Sequence, residues 1–274
     1  MKKIGFIGCG NMGSTMIGGM TGAGRAGGEK ADAMVAADQV MASCASESSA
    51  KKRAEALGIE VTTDNRKVAE FADILFLAVK PNMFESVIPQ IAEAVTEKTC
   101  VVSIAAGQTI EAIEKMFGKK IHLVRAMPNT PALVGEGMTG VCCNEEVSDA
   151  EMQDVLKILE SCGKAEMLSE RLIDVVVSVS GSSPAYVFMF IEAMADAAVA
   201  EGMPRAQAYK FAAQAVLGSA KMVLETGKHP GELKDMVCSP AGTTIEAVGV
   251  LEEHGFRSAV IDAMKACVDV AKGM

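Results

Sequence analysis

The sequence predicts a doubly wound α/β sheet followed by an all-helical domain, and three observations support that fold class. Short apolar strands alternate with helices as far as a strand at 140–143. After Asp73 the strand at 73–79 is wholly apolar, which is typical of a parallel sheet covered by helices on both faces. From Ser169 onwards the pattern predicts helices only. We therefore place a boundary near Ala165 and expect domains at 1–165 and 166–274.

Composition and charge narrow the classes of function. The chain has 274 residues, half of them hydrophobic, which is enough for two domains and a sizeable core. Its net charge of −9 argues against a nucleic-acid partner, because phosphates bind basic surfaces. The longest apolar run, near 186–200, carries Glu192 and Asp196 and is too short and too charged to span a bilayer. We therefore expect neither a nucleic-acid nor a membrane partner.

The eight cysteines predict reduced thiols rather than a metal site. They contain no C-x-x-C pair, and the three histidines form no motif with them. The sequence begins with a strand, without a visible export signal, so we expect a cytoplasmic protein with mostly buried, reduced cysteines. No metal is expected.

The segment after the first strand carries a phosphate-binding pattern. Gly8, Gly10 and Gly13 form G-x-G-x-x-G directly after an apolar strand at 4–8, at the start of a helix. The first glycine allows a tight turn, the second lets a pyrophosphate approach the backbone, and the third lets the helix pack on the strand. Free N–H groups at the helix start then face the anion. The alternative is a glycine-rich turn without a ligand, but the strand–turn–helix context favours a dinucleotide site.

Asp38 follows a predicted second strand at 33–37. A Rossmann unit places at that strand end the carboxylate that hydrogen-bonds the adenine ribose, although Asp38 could instead cap the following helix. A carboxylate repels a 2′-phosphate, and residues 39–43 contain no Lys or Arg. Lys51, Lys52 and Arg53 are expected to lie too far along the helix to reach back. The sequence therefore predicts that NADH is preferred over NADPH.

Two further predicted strand ends point to the same place. One strand breaks at Val79-Lys80, and another ends where Ala105 opens a short Ala-Ala-Gly segment. In a doubly wound sheet the ligand crevice lies outside the carboxyl ends of the strands. These ends are therefore expected to share one crevice with the glycine motif and Asp38.

The second half contains one segment of special composition. Residues 239–244 read Ser-Pro-Ala-Gly-Thr-Thr and precede a predicted helix at 245–254. Threonines and a glycine at a helix N-terminus can form a small anion pocket, but spacing alone favours an ordinary capped helix start. The surrounding helices are as apolar as an obligate dimer interface, so we expect them to pack against a second subunit.

Taken together, these segments resemble the pyrroline-5-carboxylate reductase family over nearly the whole chain. The matching motifs are FIGCGNMG (6–13), FLAVKP (76–81), SIAAG (103–107), RAMPNTP (125–131), SGSSPAY (180–186), LGSAKM (217–222) and the stretch 229–244 that begins with HPG. The last stretch is the most specific of them.

The resemblance implies a reaction and an assembly. NAD(P)H would reduce the C5=N bond of pyrroline-5-carboxylate, giving L-proline in the last step of proline biosynthesis. A Rossmann domain would be followed by a helical domain that interlocks in a homodimer, which can assemble into a larger ring such as a decamer.

The resemblance also implies the site residues. Substrate contacts would come from Ser239, Gly242, Thr243 and Thr244. Thr244 would be the catalytic residue, acting as orienter and proton relay at the ring nitrogen, because no His, Asp or Glu in the matching motifs is an obvious proton donor. The expected cofactor-binding residues are Gly8, Cys9, Gly10, Asn11, Met12, Gly13, Asp38, Asn65, Ala78, Val79, Lys80 and Ala105.

The chain departs from the family at a few positions. Ser183 and Ala241 stand where the family usually has glycine, and Asp38 stands where NADPH-using relatives often have Ser or Arg.

Two alternative functions remain open. One is another imine or β-hydroxyacid reductase of the same architecture, with Lys221 as the nearest candidate lysine, and the other is a non-catalytic dinucleotide sensor. A sensor need not keep the pocket at 239–244.

Overall fold

The computed structural model describes residues 2–23 and 33–273, which divide into two compact units. The sheet unit comprises 1–181 with 267–274, and the helical unit comprises 182–266. Ala165, the predicted boundary, lies inside the last strand, where it pairs with Thr139. The division therefore falls later in the chain than predicted. The cause is the composition of that strand, Gly-Lys-Ala-Glu-Met, which carries two charges and no β-branched or aromatic residue.

One eight-stranded sheet forms the centre of the sheet unit, with the strand order β3-β2-β1-β4-β5-β6-β7-β8. The strands are β1 (Ile4–Ile7), β2 (Val40–Ser43), β3 (Glu60–Thr62), β4 (Ile74–Leu77), β5 (Cys100–Ser103), β6 (His122–Met127), β7 (Gly137–Cys143) and β8 (Gly163–Met167). Neighbours are parallel except β6 and β7, which are antiparallel. The predicted fold class is confirmed. The strand order reverses between β1 and β4, which is the kind of switch point where such sheets bind ligands.

Both faces of this sheet are covered, as the apolar strands predict. The helices of the unit are α1 (Asn11–Thr21), α2 (Glu47–Leu57), α3 (Asn65–Phe71), α4 (Phe84–Ile91), α5 (Ile110–Phe117), α6 (Asp149–Glu160) and α7 (Ile173–Val176). Successive strand residues face opposite sides, so Phe6 and Phe76 stack at 4.6 Å in one core cluster while Leu75 and Leu77 belong to the other.

The second strand does not lie where the sequence predicts it. It is β2, and Asp38 precedes it in an exposed 3-10 turn at Ala37–Gln39. Two apolar runs flank Asp38, and the later one pairs with β1, Val40 lying opposite Ile4. Asp38 is therefore at the amino end of β2, and four strand residues at about 3.3 Å each, roughly 13 Å, separate it from the carboxyl edge. Its predicted position at the carboxyl end of the second strand is wrong.

The helical unit exposes much of its apolar surface. Its helices are α8 (Ser183–Ala200), α9 (Arg205–Thr226), α10 (Pro230–Val237) and α11 (Thr243–Glu253), and α12 (Phe256–Lys272) continues into the sheet unit. The buried residues of α8 and α9 are Ala195, Ala208 and Ala212. Large exposed side chains include Phe188, Met189, Phe211, Leu217, Leu224, Met236 and Val237. Exposed apolar surface of this extent marks an interaction site.

A continuous helical run connects the two units. It extends for 31 residues, Glu170–Ala200, through a 3-10 turn, α7, a π-helical turn at Val177–Ser182 and α8. By length and composition alone this run could cross a membrane, and among the described residues it is the one helix of which this is true. The apolar run predicted from the sequence, near 186–200 with Glu192 and Asp196, is only the second half of this helical run.

Candidate functional site

The glycine motif forms a tight loop between β1 and α1. Gly8 has φ of 97°, and a Cβ there would lie 2.7 Å from Val79 Cγ1 and 2.9 Å from the Ala78 carbonyl oxygen. At Gly13 a Cβ would lie 2.6 Å from the Gly8 carbonyl oxygen, so only glycine lets α1 approach the loop. A Cβ on Gly10 would meet no atom within 4 Å. The loop is therefore closed against the protein at two glycines and open at the third.

The start of α1 is an uncapped helix N-terminus. Gly10 is its N-cap residue, without a side-chain hydrogen bond, and no acidic residue lies in the first turn. Asn11 is exposed and Met12 is half-buried, while Cys9 is buried. A helix start with free N–H groups, next to the open side of Gly10, suits a phosphate.

A chain of hydrogen bonds supports this loop from the neighbouring strand. The hydroxyl of Ser43, the last residue of β2, accepts from the Gly8 N–H at 3.2 Å and donates to Asn65 Oδ1 at 2.7 Å. Asn65 Nδ2 in turn donates to Gln90 Oε1 at 2.9 Å. Asn65 is thus linked through Ser43 to the glycine loop. Ser43 was missed, because its strand was placed too early.

Two other predicted segments reach the same edge of the sheet. The Ala78 N–H donates to the Ile7 carbonyl at 2.9 Å, which places Ala78 and Val79 beside the glycine loop. Lys80 follows them and is exposed. Ala105 is buried just beyond the carboxyl end of β5, with its N–H 3.4 Å from Ser103 Oγ. Every predicted cofactor residue except Asp38 therefore lies at the carboxyl edge of β1, β4 and β5 or at the start of α3.

The carboxyl end of β2 carries hydroxyl groups and a positive charge. Ser46 caps α2 by accepting from the Ser49 N–H at 3.3 Å. Further along α2, Lys51 and Lys52 are exposed but Arg53 is half-buried. Within the described ranges 2–23 and 33–273, Arg53 makes no ion pair with an acidic side chain.

Two neighbouring thiols report where the charge of Arg53 lies. Burial, together with the adjacent Cys44, raises the pKa of Cys9 to about 12. Burial also raises the pKa of Cys44. In both cases the positive charge of Arg53 acts to lower the pKa. Arg53 is therefore close enough for its charge to act on both thiols, which follow β1 and β2.

The helical unit contains the second predicted site. The N-terminus of α11 follows Ser239, and no side chain caps it. The Gly242 N–H donates to the Ser239 carbonyl at 3.0 Å, closing a tight turn before the helix. Inside this turn Ala241 has φ of 55°, in the left-handed region that glycine favours. Thr243 and Thr244 occupy the first turn of α11, where backbone N–H groups are available to an anion.

Other predicted features are less distinctive. Lys221 lies on α9, two-thirds exposed, in an ion pair with Glu225 at 3.4 Å. All eight cysteines fall in the described part of the chain, and none of them forms a disulfide there. Residues 2–23 and 33–273 contain no group of three or more His, Cys, Asp or Glu side chains that could hold a metal ion.

Two family models match the chain. A model described as NADP oxidoreductase, coenzyme F420-dependent, matches residues 3–107. A model described as pyrroline-5-carboxylate reductase dimerisation matches residues 170–274.

Full-length relatives agree with the second description. The chain is 54% identical over 268 residues to pyrroline-5-carboxylate reductase of Escherichia coli, covering 98% of this chain and 96% of the relative. It is 44% identical to the Methanosarcina acetivorans enzyme, covering 96% and 94%. Among solved structures, the Coxiella burnetii pyrroline-5-carboxylate reductase superposes with a TM-score of 0.88 at 35% identity, covering 99% and 98%. The Plasmodium falciparum pyrroline carboxylate reductase with NADP bound gives 0.87 at 30% identity, covering 99% and 97%.

Proposed function

Because the chain belongs to the pyrroline-5-carboxylate reductase family, an NAD(P)H-dependent oxidoreductase family of proline biosynthesis, we propose which of its residues carry out the reduction of pyrroline-5-carboxylate to L-proline. One observation carries the assignment of roles. The helix starts at Gly10, in the glycine motif, and at Gly242, in the most specific of the family motifs, both lack a side-chain cap. Each therefore leaves backbone N–H groups for an anionic ligand.

The glycine loop fits the pyrophosphate of a dinucleotide. Gly10 leaves open space where a phosphate can approach the backbone, and the N–H groups at the start of α1 point toward it. Asn11 and Met12 lie on the open side, and Ala78, Val79, Lys80 and Ala105 continue the crevice toward β4 and β5. Cys9 contributes only its backbone, because its thiol is buried and neutral. When bound, the nicotinamide supplies a hydride to the C5=N carbon.

We propose that NADPH is the preferred cofactor. The argument for NADH depended on Asp38, which lies at the other edge of the sheet. The carboxyl end of β2, where the 2′ position of the adenine ribose belongs, has instead the hydroxyl of Ser46, the N-terminus of α2 and the half-buried Arg53. A guanidinium binds phosphate through paired donors, and no acidic side chain in the described part of the chain neutralises Arg53.

The turn at 239–244 fits the substrate carboxylate. Backbone N–H groups of Thr243 and Thr244 and the dipole of α11 provide the positive end, and Ser239 and Gly242 shape the turn. The Thr244 hydroxyl is assigned to the ring nitrogen, where it orients the imine and relays a proton. A protonated imine accepts hydride readily, so the protein's main tasks are alignment and exclusion of water.

The assay that tests this assignment measures oxidation of NADPH with pyrroline-5-carboxylate. Thr244→Val preserves the shape and the backbone N–H but removes the hydroxyl, so kcat/KM is expected to fall roughly ten- to a hundredfold, the loss of about 1–3 kcal/mol. Thr96→Val, an exposed threonine before β5, is the control. A Thr244→Val enzyme with unchanged kcat/KM contradicts the role of Thr244, whereas an inactive wild type contradicts the function.

We further propose a cytoplasmic homodimer formed through 170–274, with a larger ring such as a decamer as its higher assembly. The support is the exposed apolar surface of α8 and α9, including Phe188, Phe211 and Leu224, in the region that the dimerisation model matches. A second copy would also cover the apolar run at Glu170–Ala200. Light scattering is expected to give a dimer or a multiple of it, and a stable, active monomer at micromolar concentration contradicts the proposal.

A further inference from the structure

One backbone hydrogen-bond donor is missing at the start of α8, because the sequence places a proline there. Pro184 is the second residue of this helix and has no N–H. In a continuous α-helix that N–H would bond the carbonyl of Ser180, four residues earlier. The chain instead forms the π-helical turn Val177–Ser182. The Ser180 carbonyl accepts a hydrogen bond from Asn129 Nδ2 at 2.9 Å.

Asn129 is held rigidly for this contact. Its other amide atom, Oδ1, accepts from the Met138 N–H at 2.9 Å, and the residue is 8% exposed. The two bonds fix the orientation of the amide, because the oxygen must face an N–H and the nitrogen a carbonyl. The side chain therefore supplies the donor that Pro184 lacks.

The π-turn lies at a functionally important edge. Asn129 comes just after β6, whose carboxyl end lies at the same edge as those of β1, β4 and β5. A Cβ on Gly181 would lie 3.4 Å from Met127 Cε, and Ser178 is fully buried, so the turn packs on the end of β6. In a doubly wound sheet one half, β1 to β3, takes the adenosine and the other half, β4 to β6, takes the nicotinamide. Single π-turns within helices frequently occur at functional sites.

We propose that Asn129 is a positioning residue for hydride transfer. By replacing the missing N–H of Pro184, it holds the turn Val177–Ser182 against the nicotinamide half of the crevice. Both of its polar atoms are bonded within the protein, so it acts through the turn and not by contact with substrate. The inference rests on the proposed function. Loss of the Asn129 side-chain donor should lower kcat more than it weakens cofactor binding, because the pyrophosphate loop follows a different strand, β1.

The test is a cycle of two substitutions. Asn129→Asp keeps the acceptor for the Met138 N–H and removes the donor to Ser180, and we expect kcat to fall at least about tenfold with KM for NADPH within about threefold. Pro184→Ala restores a backbone N–H that can bond Ser180. In that background Asn129→Asp should lower kcat by less than about threefold.

A second amide of the same kind provides the control. Asn144 Oδ1 accepts from the Leu123 N–H at 3.1 Å, and its Nδ2 donates to the Ile121 carbonyl at 2.7 Å, at the amino end of β6. Asn144 also lies beside Glu114, so Asn144→Asp should lose at least as much thermal stability as Asn129→Asp. Its kcat should nevertheless stay within roughly twofold of the wild-type value.

Three results would overturn the proposal: an equal loss of kcat in both backgrounds, an equal loss in Asn144→Asp, or a folding failure of Asn129→Asp that Pro184→Ala does not rescue. Thermal unfolding of the wild type, Asn129→Asp, Pro184→Ala and the double variant measures the coupling between Asn129 and Pro184 without any assay of activity. An inactive wild type that still shows this coupling would therefore refute the proposed function and leave the hydrogen bond established.

Discussion

Arg53 is expected to decide which cofactor the enzyme prefers. The guanidinium acts on the thiols of both Cys9 and Cys44, which lie at the ends of β1 and β2. A hydrogen bond to a charged group contributes about 1.5–3 kcal/mol, and half-burial of Arg53 favours the lower end of that range. Arg53→Ala should therefore reduce kcat/KM for NADPH about ten- to thirtyfold. NADH lacks the 2′-phosphate, so its kcat/KM should change less than about threefold.

The assay compares kcat/KM for NADPH and NADH at fixed, saturating pyrroline-5-carboxylate. Lys52→Ala is the matched control, since Lys52 is the adjacent cation on α2 but is exposed, and the cation that acts on the two thiols is Arg53. Asp38→Ser is the second control and should change neither value. Equal losses with both cofactors in Arg53→Ala, or an NADH preference of the wild type that Asp38→Ser reverses, would refute the reasoning.

Two predictions concern stability. Ala241→Gly should raise the free energy of unfolding by roughly 0.5–1 kcal/mol, because relief of about 1–2 kcal/mol of left-handed strain exceeds the extra entropy of glycine in the unfolded chain. The control, Ala247→Gly in the exposed interior of α11, should lower the free energy of unfolding by about 1 kcal/mol. Changes of the same sign in the two variants, measured by chemical denaturation, would contradict this prediction. Burial acts to raise the pKa of Glu151, but hydrogen bonds from Ser148 and then His122 outweigh it, so the pKa is below its ordinary value. Glu151 therefore contributes stability above the unfolded-state pKa, near 4.3, that is lost as pH falls through the folded-state pKa. Urea unfolding should show the advantage of wild type over Glu151→Gln shrinking below about pH 4.5, and an advantage independent of pH would count against it.

Most of the sheet could be predicted because its strands carry their own signal. β4 and β5 are short apolar runs that end at a Lys-Pro break and an Ala-Ala-Gly segment, and both appear where expected. The helix start at Ser148 was also predictable, since the structure contains the reciprocal capping box of Ser148 and Glu151. β8 was missed because its five residues, Gly-Lys-Ala-Glu-Met, include no β-branched or aromatic side chain of the kind that is enriched in strands.

The adenosine end of the site was mispredicted for a different reason. Residues 33–37 and β2 are both apolar and β-prone, and local sequence does not reveal which of them pairs with β1. Choosing the earlier run moved Asp38 to the carboxyl edge and removed Ser43 and Arg53 from the site. This one difference in strand position therefore reverses the charge that we propose at the ribose. The error does not affect the glycine loop, because the spacing of its glycines specifies both the turn and the helix that follows.

The helical unit shows what a pattern of apolar residues leaves undetermined. α8 and α9 are apolar on much of their surface, and within one chain only small residues such as Ala195 and Ala208 are buried there. Phe188 and Leu224 stay exposed, at 62% and 84%. Burying a side chain of that size contributes about 1.5–3 kcal/mol, so most of the hydrophobic stabilisation available to these helices is absent from the isolated chain. If the proposed dimer forms, it buries these side chains, so its assembly and the stability of the helical unit are expected to be coupled.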